Sequence, residues 1–193
     1  MTVEGLILAA GASRRMGSPK PLLPYHGQTF LDTLIDLFSR HCHGVTVVLG
    51  HGADEIRRGL ARTEQVTFVE NADYQAGQLS SLQAGLKTLP RAQHILLTLA
   101  DHPAVADATL SDLMSAPALL AIPRYQGRHG HPIFFGRAIA DEMLALPAGS
   151  SARGVIHAHR ESTRFVDVDD PGILLDIDDP AAYAALLRST ATG

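Results

Sequence analysis

Short apolar runs alternate with longer amphipathic segments along the whole chain, and this alternation is the feature that most constrains the fold. Short runs rich in β-branched residues are typical of buried strands, whereas apolar residues three and four positions apart are typical of helices. The runs predict strands at residues 3–10, 45–49, 66–69, 95–99, 119–122, 132–135 and 164–168. The amphipathic segments predict helices at 30–38, 54–61, 107–114, 137–144, 151–159 and 180–187, and a further helix that Ser80 or Ser81 caps and that ends near residue 89.

Strands that alternate with helices predict an α/β fold, with a mostly parallel sheet covered by helices on both faces in a three-layer α/β/α arrangement. One of the strands at 119–122 and 132–135 is a candidate for an antiparallel strand. The 193 residues suit a single domain, and no Pro-, Gly- or Ser-rich linker divides them. Ligands of such sheets bind beyond the carboxyl ends of the strands, so a site is expected in the segments that leave them.

Charge and cysteine content exclude several classes of partner. The formal net charge is −4, which gives no general attraction to nucleic acid or to an anionic membrane. Cys42 is the single cysteine, so an internal disulfide is impossible and a cysteine-based zinc site is not expected. The first residues lack the basic region of a signal peptide, and no run approaches the ~20 apolar residues of a membrane helix. We therefore expect a cytoplasmic protein with neither nucleic acid nor membrane as a partner.

A glycine-containing basic loop, LAAGASRRMGSPK at residues 8–20, follows the first predicted strand. It has neither the GxGxxG spacing of a dinucleotide fingerprint nor the Gly-Lys-Ser/Thr of a Walker loop. Gly11 allows backbone N–H groups to approach an anion closely, and Arg15 and Lys20 add two cations that suit phosphate. A solvated basic turn is the alternative interpretation, and the spacing alone does not separate the two.

An acidic residue ends the apolar strand at 95–99. Asp101 is expected at the same edge of the sheet as the basic loop, and Mg²⁺ prefers carboxylate oxygens together with substrate phosphates. A turn or helix-capping role for an Asp near a proline is equally compatible with the position. His102, which follows, is interpreted as a residue at the lip of the site.

The longer string LAAGASRRMGSPKPLLP at residues 8–24 resembles the N-terminal signature of the molybdenum cofactor cytidylyltransferase-like nucleotidyltransferases, within the wider NTP-transferase superfamily. The resemblance implies one nucleotidyltransferase domain over residues 1–193, with a Rossmann-like sheet of the nucleotide-diphospho-sugar transferase type, a nucleotide-binding N-terminal half and an acceptor-binding C-terminal half. It implies that Arg15 and Lys20 bind the phosphates and, with Asp101, are catalytic. The implied nucleotide-binding residues of the loop are Leu8, Ala9, Ala10, Gly11 and Ser13.

The segment at residues 71–86 is similar to the part of the family that lies near the nucleoside. The resemblance implies that Gly77, Ser80 and Ser81 contact the nucleoside, whereas spacing alone favours a plain helix cap. Leu79 stands where relatives often have a smaller residue. The residues around Ser13 are more similar to the cytidylyl branch than to relatives that use GTP.

Two acidic motifs resemble the family's metal-binding segments. LADHP at residues 99–103 favours Asp101 as a metal ligand, and DIDDP at 176–180 adds Asp178 as the second ligand. Residue alternation predicts that Asp176 and Asp178 lie on one face of a strand, with Ile177 on the other. The resemblance places Asp176 on the acceptor side, and the alternative for Asp178 is a cap of the last helix.

The acceptor side is predicted from two further similarities. A Gly-His-Pro motif at residues 130–132 implies that Arg128 and His131 contact the acceptor, and the segment at 149–154 adds Arg153, for which a surface role is equally compatible. Ser150 occupies a place where relatives commonly have an Asp. The His pairs at 129 and 131 and at 157 and 159 have transition-metal spacing but no supporting Cys or Asp pattern, so no metal site is predicted there.

The reaction implied by the resemblance is Mg²⁺-dependent transfer of CMP from CTP to a phosphate of a pterin-type acceptor, with release of pyrophosphate. An acceptor phosphate is ionised at neutral pH, so the absence of a Ser-His-Asp or Cys-His pattern is consistent with it. GTP as donor, a sugar or alcohol phosphate as acceptor, and a non-catalytic nucleotide- or cofactor-binding accessory protein stay open as alternatives. A molybdoenzyme or its chaperone is a further candidate partner.

Overall fold

The computed structural model describes residues 2–64, 66–115 and 118–190. The strands are β1 Val3–Ala9, β2 Pro24–Tyr25, β3 Gln28–Thr29, β4 Gly44–Leu49, β5 Val66–Glu70, β6 His94–Leu99, β7 Leu120–Tyr125, β8 Arg128–His129, β9 Ile133–Gly136 and β10 Arg164–Asp167. The α-helices are α1 Phe30–His41, α2 Ala53–Gly59, α3 Gln78–Lys87, α4 Asp107–Ser115, α5 Arg137–Ala145, α6 Ala152–Ala158 and α7 Pro180–Thr190. No helix in the described ranges is long and apolar enough to cross a membrane.

The main sheet has the strand order β10-β7-β9-β6-β1-β4-β5, with β8 paired to β7. Pairing is parallel from β6 through β1 and β4 to β5, and β9 is antiparallel to both of its neighbours. The predicted antiparallel strand is therefore the one at 132–135. A separate two-stranded hairpin, β2–β3, which the sequence pattern does not predict, precedes α1.

The central strands are buried on both faces, which is why the strand at 3–10 reads as a continuous apolar run. Ile7 of β1 packs into one core with residues of α1 and α4, and Leu6 packs into the opposite core with residues of α3 and α5. Both side chains are fully buried. The three-layer α/β/α fold with a mostly parallel sheet is confirmed.

Strand pairing brings the basic loop and the acidic residue to one edge. Leu8 of β1 pairs with Leu99 of β6, and the backbone N–H of Ala100 donates to the Leu8 carbonyl at 3.0 Å. The chain proceeds from β1 outward to β4 and β5, then returns to β6 on the other side of β1. The two strands therefore flank a switch point, where ligands of such sheets bind.

Two local predictions are wrong. Helix α3 begins at Gln78 after Gly77, whose φ of 105° suits glycine, so neither Ser80 nor Ser81 caps it. The segment around Ile177 belongs to no strand, because its backbone bonds to the loop after β6 rather than to a strand edge. The Ile177 N–H donates to the Asp101 carbonyl at 3.1 Å, and its side chain is buried.

Replacing Gly85 of α3 by alanine is expected to destabilise the fold. A Cβ there would lie 2.5 Å from Leu6 Cδ1 and 2.8 Å from Val48 Cγ2 in the core. Overpacking of this kind costs about 1–3 kcal/mol, which exceeds the gain of about 0.5–1 kcal/mol from alanine in a helix. Gly154→Ala in α6 is the control, since a Cβ there meets nothing within 4 Å. Urea unfolding should show lower stability for the first variant only, and equal stability of both would contradict this packing.

Candidate active site

The structure brings the cations of the basic loop against the carboxylates of two distant segments. Lys20 Nζ lies 2.5 Å from Asp178 Oδ1 and 3.4 Å from Asp101 Oδ2, and Arg15 pairs with Asp178 through its guanidinium. The Lys20 side chain is only 14% exposed, which strengthens these contacts relative to a surface pair. Together with Leu8, Ala9, Gly11 and Ser13 these charged groups line one cleft of about 190 Å³.

The loop is shaped by bonds within itself. Ser13 has a left-handed φ of 48°, its hydroxyl oxygen accepts from the Lys20 N–H at 3.0 Å, and its carbonyl accepts from the Met16 N–H at 2.9 Å. A Cβ at Gly11 would meet nothing within 4 Å, so the backbone there faces open space. The loop therefore offers backbone groups and two cations to one anionic ligand.

Two carboxylates, Asp101 and Asp178, line this cleft, and a third, Asp176, lies close to both. Asp101, Asp176 and Asp178 each offer an oxygen within 4.8 Å of the others, the one such group of three found in the described part of the chain. Burial, followed by the charges of Asp101 and Asp178, raises the pKa of Asp176. The hydrogen bond from Lys20 lowers the pKa of Asp178.

These acids fit a divalent cation. The Asp101 Oδ1 atom is buried and has no hydrogen-bond partner, which leaves a ligand oxygen available. Three carboxylates so close repel one another, and oxygen ligands are what Mg²⁺ and Mn²⁺ prefer. Asp176, predicted for the acceptor, thus lies with the two predicted metal ligands.

The segment that carries Asp176 and Asp178, residues 170–178, is called the strap below. The Asp170 carboxylate is buried and accepts from Ala106 N–H at 2.8 Å, Thr109 Oγ1 at 2.7 Å and Gly172 N–H at 2.8 Å. The His131 N–H donates to the Ile173 carbonyl at 3.0 Å. The sequence did not indicate this role for Asp170, since an Asp before Pro-Gly is typical of a turn.

The strap also passes very close to the Gly-His-Pro motif. A Cβ at Gly130 would lie 2.0 Å from the Ile173 carbonyl oxygen, so only glycine fits between the two backbones. The strap therefore ties the predicted acceptor motif to the acidic cluster.

A second cleft of about 320 Å³ adjoins the loop on the α3 side. It is lined by Leu8, Ala10, Gly11, Tyr74, Gly77, Gln78, Ser81, Leu99 and Asp101. The Ser81 hydroxyl accepts from Asn71 Nδ2 at 3.0 Å. Ser80 is not brought here: its hydroxyl contacts the carbonyls of Asp73 and Gly77, and it lines a different surface pocket.

A larger cleft, about 640 Å³, extends from Leu8 and His102 towards α6 and is called the acceptor cleft below. Its polar lining includes Arg128, His131, Arg153 and Ser150, and the remainder is mostly leucine and isoleucine. Leu79 is 7% exposed and lines this cleft rather than the one beside Tyr74. The larger side chain that this protein has at Leu79, where relatives often have a smaller residue, therefore lies in the acceptor cleft and not in the cleft predicted for the nucleoside.

Two histidines stand where the acceptor cleft meets the acids. The interpretation of His102 as a lip residue is wrong, because its side chain is buried and packs on the His131 ring at 4.9 Å between centroids. Burial lowers the pKa of His102. Burial and, to a smaller extent, the proximity of His102 lower the pKa of His131 to about 4. Both rings are therefore neutral at pH 7, and each Nδ1 atom lacks a partner.

Comparison with known proteins supplies the family. Residues 5–163 match the family model of the MobA-like NTP transferase domain. The chain belongs to the MobA-like NTP transferase family. The predicted enzyme class, a nucleotidyltransferase, is thereby confirmed.

Relatives and solved structures cover almost the whole chain. The molybdenum cofactor cytidylyltransferase of Escherichia coli K12 is 29% identical, with 92% of each chain covered. Nicotine blue oxidoreductase of Paenarthrobacter nicotinovorans is also 29% identical, with 91% of this chain and 92% of the relative covered. The crystal structure of Rv0371c from Mycobacterium tuberculosis H37Rv has a TM-score of 0.84 at 32% identity, covering 97% of this chain and 98% of its own. The same protein has also been solved in complex with manganese, with a TM-score of 0.79 at 31% identity over 98% of this chain and 100% of its own.

Acid is expected to destabilise the protein through His131. Its folded pKa of about 4 lies below the ordinary value of 6.5, so between these values the unfolded chain binds the extra proton and stability falls as pH falls. His131→Gln removes this contribution, so the stability gap between wild type and variant should narrow by about 1–3 kcal/mol from pH 7.5 to pH 4.5. Urea unfolding at several pH values measures the gap. The exposed His157→Gln is the control, and a gap for His131→Gln that does not change with pH would refute the assignment.

Proposed function

We propose that this chain transfers CMP from CTP to a phosphate of a pterin-type acceptor and releases pyrophosphate. The observation that carries the proposal is the contact of Lys20 with both Asp101 and Asp178 beside the open backbone of Gly11. Cations and carboxylates placed together at the switch point of an α/β sheet suit a triphosphate and its metal ion. The likeness to the cytidylyltransferase of Escherichia coli supports the donor and the acceptor.

The loop binds the phosphates in this proposal. Arg15 and Lys20 exchange their carboxylate partners for phosphate oxygens, since charge-assisted bonds to phosphate are at least as strong as the ion pairs they replace. The backbone of Ala10 and Gly11 and the hydroxyl of Ser13 complete the contact, and Gly77 and Ser81 face the nucleoside in the adjoining cleft. Catalysis then rests on positioning and on neutralising the charge of the leaving group.

Asp101 and Asp178 hold Mg²⁺ in this proposal, and Asp176 stands within reach of the same ion. A bound Mg²⁺ supplies charge neutralisation at the phosphates. The manganese complex of Rv0371c supports a divalent cation in this family.

The reaction balances without a general base. An ionised oxygen of the acceptor phosphate attacks the α-phosphorus, the bond from that phosphorus to the bridging oxygen breaks, and the electron pair leaves with pyrophosphate. The acceptor lies in the acceptor cleft, where Arg128, His131 and Arg153 contact it. Neutral His131 can accept or donate a hydrogen bond there without adding charge. A cytoplasmic location and a molybdoenzyme or its chaperone as recipient stay predictions from the sequence.

A second candidate function is favoured by one finding, the equal identity to an oxidoreductase. The two functions differ in what is consumed. A nucleotidyltransferase releases pyrophosphate from CTP, whereas an oxidoreductase consumes an electron donor or acceptor and no CTP.

Loss of Lys20 or Asp101 is expected to remove most turnover while the fold persists. Each group acts on charge in the transition state, and loss of such a group lowers kcat by about 10²–10³-fold. Lys20→Ala and Asp101→Asn are to be compared by pyrophosphate release with CTP and a pterin phosphate acceptor. Lys87→Ala is the matched control, since Lys87 ends α3 and lines a pocket away from the cleft. Rates near wild type in either site variant would contradict the proposal.

Nucleotide choice is tested by thermal shift with CTP, GTP, ATP and UTP, each with Mg²⁺. A ligand at 100 times its Kd stabilises the native state by about 2.7 kcal/mol, and each kcal/mol raises the Tm by about 2–4 °C at this size. CTP is expected to give the largest shift, and EDTA is expected to reduce it. Equal shifts for all four nucleotides would overturn the choice of CTP.

A further inference from the structure

The acceptor cleft does not end at α6. Beyond Arg153 it continues into a second pocket of about 180 Å³, called the distal pocket below. Its lining residues are Ile122, His129, Arg153, Ile156, His157, Arg160, Thr163 and Phe165. Four of these, Ile122, His129, Arg153 and Ile156, also line the acceptor cleft. One ligand can therefore reach from His102 beside the acids to the distal pocket.

The distal pocket is basic and its cations are not neutralised. Neither Arg153 nor Arg160 forms a salt bridge within residues 2–64, 66–115 and 118–190. Among the acids near this pocket, Asp167 pairs with Arg124 at 2.6 Å and Glu142 with His159 at 2.8 Å. Glu161, which follows Arg160, does not line the pocket. No acidic side chain is among the lining residues. A positive field in a concave site attracts an anion.

The aromatic wall of the pocket is held in place. The rings of His129 and Phe165 stack at 4.4 Å and 14°, and the Arg124 guanidinium lies 5.9 Å from the Phe165 ring centroid. Arg124 is itself held by two hydrogen bonds to Asp167, at 2.6 and 2.8 Å. A wall fixed in this way loses little side-chain freedom when a ligand binds.

We propose that the distal pocket binds a second anionic group of the acceptor. The inference rests on the proposed function and defines its substrate class: an acceptor with one phosphate at the acidic cluster, a flat pterin-type ring packed along the leucine and isoleucine walls, and an oxyanion at the far end. At about 180 Å³ the distal pocket suits one small oxyanion rather than a polyanionic chain. Arg153 and Arg160 supply the charge, and His129 and His157 flank the same space.

The test uses inorganic phosphate and molybdate as probes and the imidazole NMR signals of His129 and His157 as reporters, at constant ionic strength. Signals are assigned with single His→Gln variants. Both probes are expected to shift the two signals, with and without saturating CTP and Mg²⁺. Arg160→Gln should weaken the apparent affinity by about tenfold, the effect of one charge-assisted bond. Arg164 carries a nearby charge but does not line the pocket, so Arg164→Gln should change the apparent affinity by less than about twofold.

Three outcomes would overturn the distal site: no shift of either signal, equal losses in Arg160→Gln and Arg164→Gln, or loss of the shifts in Lys20→Ala. The last would mean that the probes bind at the basic loop. Failure of the proposed function is separable, because it appears as a missing thermal shift with CTP while the histidine signals still respond. The Arg160→Gln variant is expected to retain the wild-type thermal shift with CTP, which shows that it is folded.

Discussion

Lys20 lies between two carboxylates that come from segments far apart in the sequence, and the arrangement of the site depends on this contact. Asp101 follows a central strand and Asp178 belongs to the strap, so the lysine connects the sheet edge to a segment outside the sheet. Its low exposure keeps the charges close in a region where they are poorly screened. Burying such charges is unfavourable unless charged or hydrogen-bonding partners compensate for the lost water. Substrate phosphates can compensate the charge of Lys20, and a metal ion can compensate the carboxylates, in place of the present ion pairs.

The three clefts divide the proposed reaction among different elements. The cleft of the basic loop lies at the ends of β1 and β6, the nucleoside cleft adjoins the start of α3, and the acceptor cleft extends to α6 and the distal pocket. Among the described residues, Leu8 is the one that lines both the cleft of the basic loop and the acceptor cleft. The phosphate end of the site can therefore stay constant while the walls of the acceptor cleft change. A relative named as an oxidoreductase at the same identity as a cytidylyltransferase is consistent with such a division.

Much of the fold was predictable because parallel strands that are buried on both faces appear in the sequence as apolar runs. The place of the site was predictable because ligands of such sheets bind beyond the carboxyl ends of the strands. The position of Asp101 beside the basic loop follows from β1 and β6 being neighbours. The start of α3 was not predictable, because a glycine at a φ of 105° replaces the serine cap that the sequence favours. His102 was misplaced because nothing in a strand-end motif shows that its ring will be buried beside His131. Asp170 and the distal pocket depend on contacts between segments far apart in sequence, which periodicity does not report.

The strap has a consequence for how this protein can vary. Its two ends are fixed, at Asp170 by two hydrogen bonds from the start of α4 and the residue before it, and at Ile177 by a backbone bond to Asp101. Between them Ile173 meets Gly130 without space for a side chain. One residue inserted or deleted between Ile173 and Ile177 would move either the buried Ile177 out of the core or Asp176 and Asp178 away from Asp101. Surface connections usually tolerate length changes in evolution. This one is held to a fixed length, and homologous chains that keep the acidic cluster should differ here by substitution and not by gaps.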